Sequence, residues 1–108
     1  MSNDVTSLNV ANFSEFMDSP GRVKVLRFWA TWCRPCIALE PVFNEVATEM
    51  KDSAGFAEID IDKAPEIAGT FGIRSVPTVV VMKDGQPVDM VVGLNPKDRY
   101  TQVVKAAS

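Results

Sequence analysis

Between Val23 and Met50 three segments follow one another without a break: an apolar, β-rich octapeptide (Val23 to Ala30, VKVLRFWA), a Cys-x-x-Cys tetrapeptide (Cys33 to Cys36), and the residues Leu39, Val42, Phe43, Val46 and Met50 at helical spacing. The octapeptide has the composition of a strand buried on both faces. The positions i, i+3, i+4, i+7 and i+11 form one stripe of a long amphipathic helix, which Pro41 is expected to kink. A buried strand that leads through a short turn into a long helix places the chain in an α/β class.

The flanking sequence extends that pattern. Val5 to Leu8 reads as a short strand, and Phe13, Phe16 and Met17 as a short helix stopped by Ser19-Pro20-Gly21. After the long helix come a strand at Phe56 to Ile61 and a short helix at Pro65 to Phe71. Strands at Thr78 to Met82 and Val88 to Val92 flank an Asp84-Gly85 hairpin signal. Asn95-Pro96 reads as an N-cap with proline at the first helical position, opening a helix whose stripe is Tyr100, Val103, Val104 and Ala107. Strand–helix alternation that ends in a hairpin implies a mixed sheet of about five strands flanked on both faces by about four helices.

At 108 residues the chain holds one domain, spanning 1–108. With 46% hydrophobic residues and a net charge of −3, disorder is not expected, and neither is the basic stripe of a nucleic-acid binder. No apolar run reaches the roughly 18–20 residues of a membrane span. Met1-Ser2-Asn3-Asp4 lacks the basic and apolar regions of a signal peptide, so a cytoplasmic location is expected. In that compartment a cysteine pair is more often catalytic or metal-binding than structural.

Cys33 and Cys36 are the only thiols, and there is no His. A zinc site would need further ligands from carboxylates or a second subunit, so no metal is expected. Two buried reduced thiols are the plain alternative. The strand before and helix after favour redox chemistry. A thiolate at a helix N-terminus faces free backbone N–H groups and the positive end of the dipole, both of which lower its pKa. Cys33, just before the helix, is expected to be the exposed attacking sulfur, and Cys36, one turn in, the more buried one. Pro35 suits a first helical turn.

Trp32-Cys33-Arg34-Pro35-Cys36 after Phe28-Trp29-Ala30-Thr31 closely resembles the active-site segment of the thioredoxin family. Asp60-Ile61-Asp62, Ile73-Arg74-Ser75-Val76-Pro77-Thr78, Asp84-Gly85 and Val92-Gly93 carry the resemblance along nearly the whole chain. It implies a thioredoxin fold and a monomeric protein-disulfide reductase with no bound cofactor, working through a redox-active Cys33–Cys36 disulfide. Its partners would be disulfide-containing proteins and an NADPH-dependent thioredoxin reductase. Cys33 would be the nucleophile and Cys36 the resolving thiol. Pro77 would be cis, leaving the Val76 backbone free to pair with an extended substrate. Trp32, Ile61, Val76, Gly93 and Leu94 match the rim that contacts targets. An oxidant or isomerase, and a non-catalytic binding subunit, are the other readings. A glutaredoxin fits less well, because the lead-in and Trp-Cys start are those of thioredoxins.

Three positions depart from the family's pattern. Arg34 stands where Gly is usual, and a cation there favours the Cys33 thiolate and so a less reducing couple. Arg27 stands where a buried Asp is usual, and cannot act as a base because it keeps its proton. Glu58 stands where Lys is usual. Arg27 and Glu58 are therefore expected inside as an ion pair with exchanged charges, Glu58 being either a structural partner or a base towards Cys36. In addition, Ile37 replaces the basic residue that many relatives carry after the second cysteine.

Overall fold

The structure, a computed structural model, describes residues 4–108. Met1 to Asn3, part of the N-terminal stretch considered for targeting, lie outside the described residues. In chain order the elements are β1 (Val5–Leu8), α1 (Phe13–Asp18), β2 (Val23–Trp29), α2 (Arg34–Met50), β3 (Gly55–Asp60), α3 (Pro65–Thr70), β4 (Thr78–Lys83), β5 (Gln86–Val92) and α4 (Lys97–Ala107). The strands form one five-stranded sheet in the order β1-β3-β2-β4-β5. β3 pairs parallel with β1 and β2, while β4 pairs antiparallel with β2 and β5. β2 is central, which explains its nearly unbroken apolar sequence.

Each face of the sheet carries its own core. Leu39, Phe43, Val46 and Ala47 of α2 and Tyr100, Val103 and Val104 of α4 close over Val25, Val79 and Val81. On the other face, α1 and α3 contribute Phe13, Phe16, Ile67 and Ala68 against Leu26, Phe28, Ile59 and Val80. The period-2 alternation of β2 and β4 thus sends successive residues to opposite layers.

The expected elements all form, with local differences. α2 runs unbroken through Pro41, which lacks the N–H that would bond back to Ile37. β5 begins at Gln86, two residues before the apolar run, because the Asp84-Gly85 turn (φ +52° and +81°) lets pairing start at once. Pro87 is accommodated because β5 is an edge strand. Asn95 does not cap α4. Pro96 occupies the N-cap position, and the Asn95 amide turns back to donate to the Val92 and Gly93 carbonyls. The tight chain reversal after β5 holds the Asn95 side chain by its NH2 group, and its oxygen does not cap the helix.

The buried charges also differ from expectation. Arg27 is buried, but Glu58 is only half-buried, and the second enclosed charge is Lys24. Lys24 Nζ donates to Ser19 O, Ser19 Oγ and Pro20 O and lies 5.3 Å from the Phe16 ring centre. Burial lowers its pKa. Its register partner is Gly55, where an added Cβ would come within 3.3 Å of the lysine stem.

Candidate functional site

The end of β2 delivers the chain to the cysteines. Cys33 N donates to Ala30 O at 3.1 Å, and Ile37 N donates to Cys33 O at 3.2 Å, so Cys33 becomes the N-cap of α2. Its Sγ accepts from the Cys36 N–H at 3.2 Å, a sulfur taking the role that a Ser or Asp oxygen usually fills. Pro35 in the first turn gives up no needed donor. The two cysteines are joined as a disulfide, with their Cα atoms 5.2 Å apart.

Cys36 is completely enclosed, and Cys33 is 4% exposed. The expected order of access therefore holds, but Cys33 is not an exposed sulfur in the oxidised form. The walls around the pair (Trp29, Ile61 and Val76) cover most of it. The Val76–Pro77 peptide bond is cis, and Cys33 Sγ lies 3.6 Å from the Val76 carbonyl oxygen. Gly93 donates its N–H to Pro77 O at 2.8 Å with φ +85°, a conformation that favours glycine. That bond ties the end of β5 to the proline loop and brings Gly93 and Leu94 to the rim.

Three separate loops thus converge on the disulfide: the β2–α2 turn, the loop before β4 and the loop after β5. Trp32, next to Cys33, and Leu94, next to Gly93, are exposed, as are Ile37 and Val92, which were not among the expected rim residues. Ile61 and Val76 are half-buried against the cysteines. Trp32 Nε1 donates to Asp62 Oδ2 at 2.8 Å, which pins the most exposed aromatic ring. Asp62 was legible only as part of a matching segment, because nothing in its local spacing predicts that pairing.

A family model described as Thioredoxin matches residues 4–106. This chain belongs to the thioredoxin family. Its Cys33–Cys36 disulfide is a redox-active one, and the protein is a thiol–disulfide oxidoreductase. Similar thioredoxins include that of Staphylococcus haemolyticus (strain JCSC1435), 40% identical over 100 residues, covering 93% of this chain and 94% of that one. Another, from Staphylococcus saprophyticus, is 38% identical over 101 residues, with 94% and 95% covered. Among solved structures, a mutant thioredoxin from Halobacterium salinarum NRC-1 superposes with a TM-score of 0.87 at 32% identity, covering 99% of this chain and 94% of that one. Malassezia sympodialis thioredoxin (Mala s 13) gives 0.84 at 35% identity, with 95% and 90% covered.

Against that thioredoxin frame, the exchanged charges lie directly behind the disulfide. Arg27 Nη1 donates to the Cys36 carbonyl at 3.1 Å, and Arg27 Nη2 donates to Glu58 Oε1 at 3.3 Å. Glu58 Oε2 accepts from Ser7 Oγ at 3.4 Å. The guanidinium lies 5.2 Å from the Trp29 ring centre and 5.8 Å from that of Phe43. Arg34, between the cysteines, is exposed. Among the described residues no group of three or more His, Cys, Asp or Glu is placed to hold a metal ion, and no helix is long and apolar enough to cross a membrane.

Proposed function

We propose that this chain is a cytoplasmic protein-disulfide reductase that acts as a single domain and is recharged by an NADPH-dependent thioredoxin reductase. The observation that carries the reading is the placement of Cys33 Sγ at the head of α2, within 3.2 Å of the Cys36 N–H and beside the Val76 carbonyl. A sulfur there is activated by a backbone donor and by a 17-residue helix, without a His.

In the reduced protein the Cys33 thiolate attacks one sulfur of a target disulfide. A Cys33–target bond forms, and the other target sulfur leaves as thiolate and takes a proton from solvent. The Cys36 thiolate then attacks Cys33 Sγ, the Cys33–target bond breaks, and the second target sulfur leaves. Two electrons have passed from the dithiol to the target, and Cys33–Cys36 is oxidised. The exposed Trp32 and Leu94, with Ile61, Val76 and Gly93 beside them, form an apolar rim suited to an extended segment pairing with the Val76 backbone. Arg34 favours the Cys33 thiolate from the solvent side, and Glu58 serves as the partner of Arg27.

Insulin disulfide reduction tests the reading, with NADPH and thioredoxin reductase or with dithiothreitol as electron source. Wild type is expected to accelerate insulin precipitation, and Cys33→Ser to give only the background rate. Equal rates for the two would favour a non-catalytic binding subunit. Faster oxidation of a reduced substrate than reduction of an oxidised one would favour an oxidant.

A further inference from the structure

Arg27 is the largest of the fully buried side chains, with 1% exposure, and its charge sits on the carbonyl of the resolving cysteine. Two of its three nitrogens are bonded, while Nε has no partner among the described residues. Its ionic partner among the described residues, Glu58, has a side chain 20% exposed, so water screens the carboxylate more than the cation. The corner behind Cys36 therefore holds a positive charge that is not fully answered.

We propose that Arg27 is a positioning residue for the second half of the exchange, its buried guanidinium holding the Cys36 sulfur in the thiolate form for attack on the mixed disulfide. The proposal rests on the thiol–disulfide exchange described above. Once Cys33 is bonded to a target, Cys36 has to lose a proton in an enclosed, apolar setting, which by itself raises a thiol's pKa. Among the described residues no general base is bonded to it. A cation fixed to its own carbonyl, with protein rather than water between, supplies the compensating field. The sulfur and the carbonyl belong to one residue, so the two charges fall within about one Debye length, ~10 Å at 0.1 M salt.

Other charged groups around this corner are Arg34 and the half-buried Glu40 on α2, Glu58 and Asp60 on β3, and Lys63, which lines one pocket with Glu58 and Asp60. Arg34 and Lys63 act in the same sense as Arg27 but are solvated. Glu40, Glu58 and Asp60 act in the opposite sense, and the nearest to Arg27, Glu58, is bonded to its far nitrogen. The proton released by Cys36 goes to solvent, and the step is otherwise the sulfur exchange already written.

The test titrates the Cys36 thiolate by its absorbance at 240 nm in a Cys33→Ser background, against the same protein with both cysteines replaced by Ser. Arg27→Met is expected to move the midpoint upward by about one pH unit or more. Arg27→Lys is expected to restore most of the parent value, which loss of packing alone would not do. The double variant Arg27→Met/Glu58→Gln replaces the pair by uncharged groups of similar size and tests the same point if the single variant does not fold. Its midpoint is expected to stay above the parent's, since the cation lies nearer Cys36 than the carboxylate does. A midpoint in the double variant at or below the parent's overturns the proposal. Failure of wild type to reduce insulin would remove the reductase reading, while the titration would still report whether Arg27 controls Cys36.

Discussion

Arg27 and Glu58 are register partners across the parallel β2–β3 pairing, and their side chains meet at 3.3 Å between Nη2 and Oε1. Both charges belong to one sheet face, directly beneath the start of α2. Either single exchange sets a charge at the enclosed position 27 against a like charge at the half-buried position 58, which is costly. Arg27→Asp and Glu58→Lys are each expected to cost about 3–5 kcal/mol, the range for breaking a buried pair. The double exchange Arg27→Asp/Glu58→Lys is expected to recover 1–3 kcal/mol of coupling, at roughly the level of adjacent, interacting sites. Urea unfolding of the oxidised proteins measures all three. Strictly additive costs would show that the contact carries no net interaction.

The bonds of Glu58 go to Arg27 and Ser7. A base towards Cys36 would have to be a different arrangement of the same carboxylate. Glu58→Gln is therefore expected to leave the resolution of a Cys33 mixed disulfide no slower than in wild type, followed by release of a chromophoric thiol. A selective loss of about tenfold or more in that phase, with the first attack unchanged, would instead assign Glu58 the base role, since general acid–base groups typically contribute 100-fold or more.

Much of this architecture was legible because several signals agreed. The run from Val23 to Trp29, the stripe of α2 and the Asp84-Gly85 turn each point to one element type, and the sheet order needs all of them. The site was less legible. Asp62 joins Trp32 only because two loops meet, and local spacing contains no trace of such a contact. Nothing in the local sequence marks Lys24 for burial, since the Ser19–Pro20 carbonyls that receive it are supplied by the turn before its own strand. Asn95 has the composition of a cap, but a nearer need, the Val92 and Gly93 carbonyls, takes its amide. The pairing of Arg27 with Glu58 was inferable because a lone Arg in a buried strand has to be answered. Its bond to the Cys36 carbonyl was not, since that depends on how α2 lies across the sheet.

Arg34 is a solvated cation at the first position of α2, one residue after the N-cap Cys33. Its field is expected to favour the Cys33 thiolate and hence the reduced protein. Arg34→Gly is expected to lower the reduction potential by about 10–20 mV, because an exposed charge contributes up to about 1 kcal/mol and 30 mV corresponds to about 1.4 kcal/mol. Equilibration with glutathione buffers, read by intrinsic fluorescence, gives both potentials. The gap is expected to shrink at 1 M salt, where the Debye length is about 3 Å. A wild-type potential equal to or below that of the variant would remove Arg34 from the redox argument.

Asp84 sits at φ +52° in the β4–β5 turn and is held by Arg22 through Nε to Oδ1 and Nη2 to Oδ2, both at 2.9 Å. Its N–H donates to Arg22 O at 2.8 Å, so the fork and the backbone close the same corner. The hydrogen-bonded guanidinium holds the Asp84 pKa below the ordinary carboxylate value, and the carboxylate raises that of Arg22. A carboxyl whose folded pKa is depressed contributes stability that is present above its unfolded value and is lost as pH falls through the folded one. Asp84→Asn keeps a side chain that tolerates a left-handed backbone and removes only the charge. Wild type is expected to melt above Asp84→Asn at pH 6, with the difference narrowing as the pH falls below about 4. Both groups are solvent-exposed, so 1 M salt is expected to reduce the pH 6 difference as well. A difference that persists unchanged at pH 2 would place the effect in the turn's backbone geometry instead of in the Arg22–Asp84 charge pair.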